Sequence, residues 1–399
     1  MILRLTLMGN FWYIDLMRLL FVADGRSPIA LNWIRYFVER GDEVYLASTF
    51  ACSPDLPLRG VDFTPVAFNQ AANKTGPSNP GLTRYSRLQR AIRNFLGPLT
   101  VSRAARRLRQ VQARVHPELV HAMRIPFEGM LAADAYDGTP LLVSIWGNDL
   151  TLRAPSTPLM RHYTSWTLQA AQGLHADCRR DIRLGKQWGF DSSGPTRVLP
   201  GNGGVRTDIF HAPSARAEAP IVVNPRGARS YVRSDIFFRA IPLVLARFPE
   251  ARFLCASLAD DHEALKWIGS LHIDNSVQLL PHLTQLEMAS LFQGAQLVVS
   301  PSVHDGTPNS LLEGMACGCL PVAGDLESLR EWITPGENGL LADATDVRGL
   351  AEAMIEGLGN QSLRLEAAGL NHKLILQRAE YTRCMADADG FYRRIISGI

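Results

Sequence analysis

The sequence predicts an α/β protein made of two doubly wound parallel sheets, and three observations predict it. The chain has 399 residues, about twice the length of a usual domain. Short apolar runs alternate with amphipathic stretches in both halves, as they do when helices cover both faces of a parallel sheet. In the second half a glycine-containing loop stands between a strand and a helix, where such sheets bind anionic ligands.

The elements follow in order. Met17–Ala23 (MRLLFVA) reads as a buried first strand and Ile29–Arg40 as a helix, with Ile29, Trp33, Phe37 and Arg40 on one face. Gly41 ends that helix and Glu43–Ser48 (EVYLAS) is the second strand, which together make a βαβ opening. Further buried strands are expected at Glu118–His121, Pro140–Ile145 and Thr196–Leu199, each bounded by Pro, Gly or Asp. Ala212–Pro220 is a small-residue connection. The second half repeats the alternation. Strands are expected at Ile221–Asn224, Arg252–Ala256, Val277–Leu280, Leu297–Ser300 and Leu320–Ala323, and helices at Ser234–Arg247, Asp261–Ser270 and Thr284–Gln293. The chain is divided as 1–205, 206–378 and a final helix, 379–399.

Composition narrows the function classes. Hydrophobic content of 46% and charge of 20% exclude a disordered chain. Cys52, Cys178, Cys255, Cys317, Cys319 and Cys384 lie scattered, without a CxxC pair, and read as reduced thiols of a cytosolic protein. Met1–Ala23 is apolar but interrupted by Arg4, Asp15 and Arg18, so it does not read as a spanning helix. Residues 1–16 are an extension or an overlong start. Net charge is only +3, yet Phe63–Pro117 holds no acidic residue and carries Lys74 and nine arginines. Such a block implies an anionic partner. Arg84, Arg87, Arg90 and Arg93 recur at three-residue steps, with Tyr85, Leu88, Ile92, Phe95 and Leu99 on another face, the pattern of a cationic amphipathic helix or of a solvated helix face. The interleaved aromatics of a base-stacking platform are missing, which argues against nucleic acid.

Ser300–Gly318 (SPSVHDGTPNSLLEGMACG) carries the chemistry. A strand ends at Ser300, Asp305-Gly306-Thr307-Pro308 forms a loop, and a helix begins at Asn309 with Pro308 fitting its first turn. Free backbone N–H groups and the positive end of the helix dipole then converge on one spot, which suits a diphosphate. Asp305 stands before that spot, and Glu313, one turn into the helix, is placed to accept from vicinal ribose hydroxyls. A structural N-cap with a solvated glutamate is the competing reading. No GxGxxG follows either first strand, which disfavours a nicotinamide oxidoreductase.

This segment closely resembles the signature of retaining GT-B glycosyltransferases of family 4 (glycosyl transferases group 1): an acid, seven residues, Glu, then Gly-Met-Ala-x-Gly. It stands here as Asp305, Glu313 and Gly314-Met315-Ala316-Cys317-Gly318. The resemblance extends to Ala23-Asp24-Gly25, the helix with Asn32-Trp33, Arg40–Val44, Leu119–His121, Trp146-Gly147-Asn148-Asp149, Leu199-Pro200, Gly203-Gly204-Val205, Phe210, and Trp332-Ile333 through Gly336–Leu341.

The resemblance implies a GT-B fold of two Rossmann-like domains facing a cleft, an acceptor-binding domain (1–205), a nucleotide-sugar donor domain (206–378) and a terminal helix (379–399) returning to the first. It implies a retaining, metal-independent hexosyltransferase without a cofactor, which moves a sugar from a UDP- or GDP-sugar co-substrate to a lipid-linked or polysaccharide-precursor acceptor. In such proteins an Arg and a Lys clamp the diphosphate. Arg226 matches the arginine, but Tyr231 stands where the lysine is expected, leaving Arg229 or Arg233 as the second cation, with Arg229 favoured. Donor binding is expected from Gly25, Arg226, Arg229, Gly306, Thr307, Pro308, Asn309, Ser310 and Glu313. Catalysis is expected from Asp305, Arg226, Arg229 and Asp149, and acceptor binding from His121, Trp146 and Asp149. His121 also reads as a buried core histidine, and Asp149 also as a cap. The arginine stripe at 84–93 then implies an anionic membrane surface on the cytoplasmic face. Alternatives are a catalytically silent GT-B protein that binds a membrane or partner, a UDP-sugar epimerase, or a phosphorylase, for whose pyridoxal phosphate only four lysines exist.

Overall fold

The computed structural model describes residues 16–67, 95–214, 219–229 and 231–398. The stretch before Leu16 and the arginines at 84, 87, 90 and 93 lie outside the described residues. Two all-parallel sheets organise the chain. The first contains β1 (Arg18–Ala23), β2 (Glu43–Ser48), β3 (Gly60–Phe63), β4 (Leu119–Ala122), β5 (Leu141–Ile145), β6 (Gly173–Ala176) and β7 (Thr196–Val198), in the order β3-β2-β1-β4-β5-β6-β7. The second contains β8 (Ile221–Asn224), β9 (Arg252–Cys255), β10 (Val277–Leu279), β11 (Leu297–Ser300), β12 (Leu320–Gly324) and β13 (Leu340–Ala342), in the order β10-β9-β8-β11-β12-β13. This is the expected pair of doubly wound sheets.

Both sheets bury apolar residues on both faces, which is why their strands read as continuous hydrophobic runs. Three strands escape the sequence pattern. β3 (GVDF) lies at an edge and is partly exposed, β6 (GLHA) contains no β-branched residue, and β13 is only three residues long. The first helix, Pro28–Arg40, shows how local signals set boundaries. Ser27 caps its start by accepting from the Ala30 N–H, and Gly41 ends it at φ 99°, a left-handed conformation that glycine adopts without strain.

In each sheet the strand order reverses once, between β1 and β4 and between β8 and β11. A crevice opens at the carboxyl ends of the strands at such a point. The chain crosses between the sheets twice, and the crossings are tied together: the Val205 N–H donates to the Ala379 carbonyl and the Tyr381 N–H donates to the Val205 carbonyl. A Cβ on Gly204 would collide with that Ala379 carbonyl.

The last helix, Tyr381–Ser397, packs on the first sheet through Met385, Ala388, Phe391, Tyr392 and Ile395. Its anchor is a buried hydrogen-bond chain. Trp33 Nε1 donates to the Tyr392 hydroxyl (2.8 Å), which donates to His121 Nδ1 (2.5 Å). His121 Nε2 donates to Ser144 Oγ (2.7 Å), which donates to His175 Nδ1 (2.8 Å), and His175 Nε2 ends the chain on the Leu199 carbonyl (3.0 Å). An indole N–H can only donate and a carbonyl can only accept, so the two ends fix the direction of every link and keep both imidazoles neutral. Burial pushes both histidines down, His175 to about 4. Among the described residues no helix is long and apolar enough to cross a membrane.

Removing one hydroxyl breaks this chain at its second link. Tyr392→Phe leaves the Trp33 N–H and His121 Nδ1 without partners and is expected to cost about 1–3 kcal/mol, read from the denaturant midpoint. The neutral histidines also set a direction with pH. Their folded pKa values lie below the unfolded value, so the stability they contribute is present above about pH 6.5 and is lost as pH falls toward 4.

Candidate functional site

The site is built where the second sheet reverses. β8 ends at Asn224, whose Oδ1 accepts the Arg226 N–H (3.1 Å) and turns the chain back. β11 ends at Ser300 and leads into the loop with Asp305. The two loops meet in a buried ion pair, Arg226 Nη2 to Asp305 Oδ2 at 2.5 Å, with Arg226 7% and Asp305 9% exposed. Ser328 Oγ donates to the Asp305 carbonyl (2.7 Å), and Trp332 Nε1 donates to Thr307 Oγ1 (2.9 Å). The helix Asn309–Ala316 follows Pro308. The N–H groups of Asn309 and Ser310, in its first turn, have no carbonyl one turn behind them to bond.

A cavity of ≈ 320 Å³ lies against these loops and between the two sheets. From the second domain Arg226, Arg229, Tyr231, Asp305, Thr307, Pro308 and Asn309 line it, and from the first Ile29, Arg124, Trp146, Gly147, Asn148, Arg153, Asp177 and Gly201. Six of the nine residues expected to hold the donor are therefore together: Arg226, Arg229, Thr307, Pro308 and Asn309 on the wall, with Gly306 in the same loop. The two candidates for the second cation differ in their surroundings. Arg233 is spent on Asp235, with two hydrogen bonds of 2.8 and 2.7 Å. Arg229 is exposed on the cavity wall and, among the described residues, donates only to the Tyr231 hydroxyl (3.2 Å).

Four expectations are corrected. The Gly25 N–H already donates to Ser48 Oγ (3.0 Å), and Cys52 Sγ fills the space a Cβ would take. Gly25 thus serves packing within the first domain and offers no amide to a diphosphate. His121 is 1% exposed and both its nitrogens are engaged in the buried chain, so it does not reach an acceptor. Asp149 is 1% exposed; its carboxylate accepts from Arg124 Nε (2.8 Å), Trp146 N (3.1 Å) and Ile125 N (3.3 Å). It orients Arg124 and the 146–149 turn and is not available as a catalytic group. The Gly306 N–H donates to Asp305 Oδ1 (3.2 Å), which removes one amide from the expected cradle.

Ser310 and Glu313 stand outside the cavity wall, further along the helix. Glu313 has no hydrogen-bond partner among the described residues, and burial pushes its carboxyl up to about 7. Trp146 lines both this cavity and a second one of ≈ 390 Å³, at the reversal of the first sheet. The second cavity is bounded by Asp24, Arg26, Phe50, Arg124, Phe127 and Met160, and the Arg26 guanidinium stacks 3.6 Å over Phe50. Arg124 faces both cavities and is held by Asp149 and Asn148.

The first domain grips the donor loop directly. Thr307 Oγ1 donates to the Asp177 carbonyl, and a Cβ on Gly147 would collide with the Gly306 backbone. Arg180 donates to the Gly147 carbonyl (2.9 Å) and to Ser328 Oγ (3.1 Å). Glu331 accepts the Arg179 and Arg180 N–H groups at 3.0 and 3.1 Å, so a carboxylate of one domain caps a helix of the other. Sequence reasoning missed Asp177, since it follows β6, the strand with no sequence signal. Asp177, Cys178 and Asp181 bring ligand atoms within 4.8 Å of one another. They suit a cation poorly, because Arg180 pairs with Asp181 (2.8 Å) and burial holds the Cys178 thiol far above its usual range.

The two reversed parallel sheets with a shared cleft are a GT-B fold. Sucrose-phosphate synthase from Thermosynechococcus elongatus superposes with a TM-score of 0.75 at 14% identity, over 96% of this chain and 99% of that one. The Anabaena protein HepE in complex with UDP superposes with a TM-score of 0.69 at 14% identity, over 94% of this chain and 99% of that one. Residues 226–360 match the family described as Glycosyl transferases group 1, the family that the sequence resembles. A phosphatidyl-myo-inositol mannosyltransferase of Mycolicibacterium smegmatis is 26% identical over 266 residues, 61% of this chain and 62% of that protein. A D-inositol 3-phosphate glycosyltransferase of Thermobispora bispora is 29% identical over 200 residues, 45% of this chain and 46% of that protein. The chain thus spans less than two thirds of the length of either relative.

Glu313 gives this site a pH signature. The ribose diol that the sequence resemblance implies at Glu313 would donate to the ionised carboxylate, so binding of a nucleotide sugar is expected to strengthen as pH rises through about 7. In the ligand-free protein the sign reverses: stability falls as pH rises from the unfolded carboxyl value to about 7 and stays lower above it. Glu313→Gln should flatten both profiles, measured by calorimetric titration and by melting temperature from pH 5 to 8.

Proposed function

We propose that the protein is a retaining glycosyltransferase that moves a sugar from a UDP- or GDP-sugar to an acceptor hydroxyl. The observation that carries this reading is the convergence of Arg226, Arg229 and the first turn of the helix Asn309–Ala316 on one cavity between the domains. Two guanidinium groups and a helix N-terminus are the positive charge that a departing nucleoside diphosphate requires. In the reaction the bond from the anomeric carbon to the diphosphate oxygen breaks. A bond to the acceptor oxygen forms on the same face of the sugar, and the acceptor proton passes to the leaving diphosphate. Fixed donors aimed at the charge that develops there are worth roughly 3 kcal/mol each, and this charge needs no metal ion to supplement it. Asp305, held by Arg226, orients the sugar, and Glu313 the ribose.

The acceptor side follows from the second cavity. Its wall joins Phe50, Phe127 and Met160 to Arg26 and Arg124, which fits an amphiphilic acceptor such as a lipid-linked glycan precursor. Outside this cavity Phe95, Leu96 and Leu99 are exposed, and the following helix, Val101–Val115, exposes Arg103, Arg106 and Arg107, for which no ion pair is formed among the described residues. Apolar side chains beside these cations suit an anionic bilayer surface, which supports a peripheral position on the cytoplasmic side of a membrane.

Melting temperature in the presence of millimolar UDP, GDP, ADP, TDP and CMP tests the donor reading. A ligand at about 100 times its dissociation constant stabilises by roughly 2.7 kcal/mol. A selective response to UDP or GDP is expected. Arg229→Ala should leave the free protein's melting temperature unchanged and weaken that nucleotide about tenfold. No response to any of the five contradicts the reading and favours a catalytically silent binding module.

A further inference from the structure

We propose that Asp177, on the first domain, positions the transferred sugar by accepting one of its hydroxyls opposite Asp305, so that the donor pocket is complete only across both domains. The inference rests on the nucleotide-sugar reading above and adds to it a residue outside the family signature.

Asp177 lines the donor cavity, is 7% exposed, and its Oδ1 is buried without a hydrogen-bond partner. A buried carboxyl oxygen left unpaired is costly unless a ligand completes it. The surroundings hold the group in place. Thr307 Oγ1 fixes the Asp177 carbonyl from the other domain. The carboxylate packs directly against Gly306, where a Cβ would overlap it. Gly306 does not adopt a left-handed φ, so the close approach of this carboxylate, not backbone freedom, is what requires a glycine there.

The charges facing Asp177 select which part of the donor it meets. Burial above all, and then Asp181 and Asp305, disfavour its ionised form; Arg180 and the Thr307 backbone oppose them, and the carboxyl is held well above the usual range. Asp305 has Arg226 as its counter-charge, and Arg180 is committed to Asp181, Ser328 and Gly147. The other cations that the first domain brings to this cavity are Arg124, held by Asp149 and Asn148, and Arg153. A neutral, hydroxyl-bearing ligand fits beside a carboxyl held in this state, whereas the diphosphate fits the Arg226 and Arg229 side.

The test titrates the full chain and its Asp177→Ala and Asp177→Asn variants with UDP, UDP-glucose, UDP-N-acetylglucosamine, GDP and GDP-mannose by calorimetry. The nucleoside diphosphate should bind all three proteins within about twofold, while the sugar nucleotide that wild type prefers should lose about tenfold in Asp177→Ala and recover to within about threefold in Asp177→Asn, which keeps an acceptor oxygen. Equal losses for the diphosphate and the sugar nucleotide in Asp177→Ala would mark Asp177 as structural and overturn the proposal. No loss in Asp177→Ala would overturn it as well. A wild-type protein that binds UDP or GDP but gains nothing from the attached sugar refutes this inference alone. A wild-type protein that binds none of the five ligands refutes the nucleotide-sugar reading, and this inference with it.

Discussion

The Arg226 to Asp305 ion pair is the contact on which the rest of the site depends. It joins the two loops that leave β8 and β11, so it bridges the point where the second sheet reverses. Burying two charges is costly unless their remaining valences are met. Here the Asp305 carboxylate also accepts the Gly306 N–H, and Asn224 shapes the turn that delivers Arg226. Arg226 Nε is buried without a partner, on a side chain that lines the cavity in which an anion would bind. The pair thus stores one unmet donor at the position where a phosphate is expected.

Around that pair the first domain closes by backbone approach. Gly147 and Gly306 meet where neither tolerates a side chain, and Arg180 reaches from its helix to both Gly147 and Ser328. Ser328 in turn holds the Asp305 carbonyl. A path of direct contacts therefore runs from the first domain's helix Arg179–Gln187 to the donor loop. The buried chain from Trp33 through Tyr392 and His121 to Leu199 fixes the terminal helix on the first sheet, so the two crossings between domains form one tied hinge.

Most of the architecture was legible because parallel strands buried on both faces leave continuous apolar runs, and helices leave a 3.6-residue period with caps. β6 was not legible: Gly173-Leu174-His175-Ala176 has no strand signature, and His175 is buried only because Ser144 and the Leu199 carbonyl satisfy it. Asp177 was lost with it. The donor loop was legible because its chemistry is local, contained in a loop and the helix that follows. The acceptor side was not. Asp149 and His121 read equally as ligands or as structural groups, and only three-dimensional neighbours decide between the two. Arg124 and Asn148 bind up Asp149, and Tyr392, 271 positions away, binds up His121. The resemblance to glycosyltransferases helped most where this sequence departs from it. Tyr231 in place of a lysine directed attention to the nearby arginines, of which Arg233 is paired with Asp235 and Arg229, on the cavity wall, meets only the Tyr231 hydroxyl among the described residues.

The central claim is that a nucleotide sugar occupies the cleft at the reversal of the second sheet. Hydrogen–deuterium exchange of the full chain, with and without a saturating UDP- or GDP-sugar, tests it most directly. Protection should appear in the loops 224–231 and 301–310, with a smaller increase at 146–149 and 177–181, where the first domain meets the donor loop. Protection confined to other surfaces, or none at a concentration that saturates binding, would contradict the account.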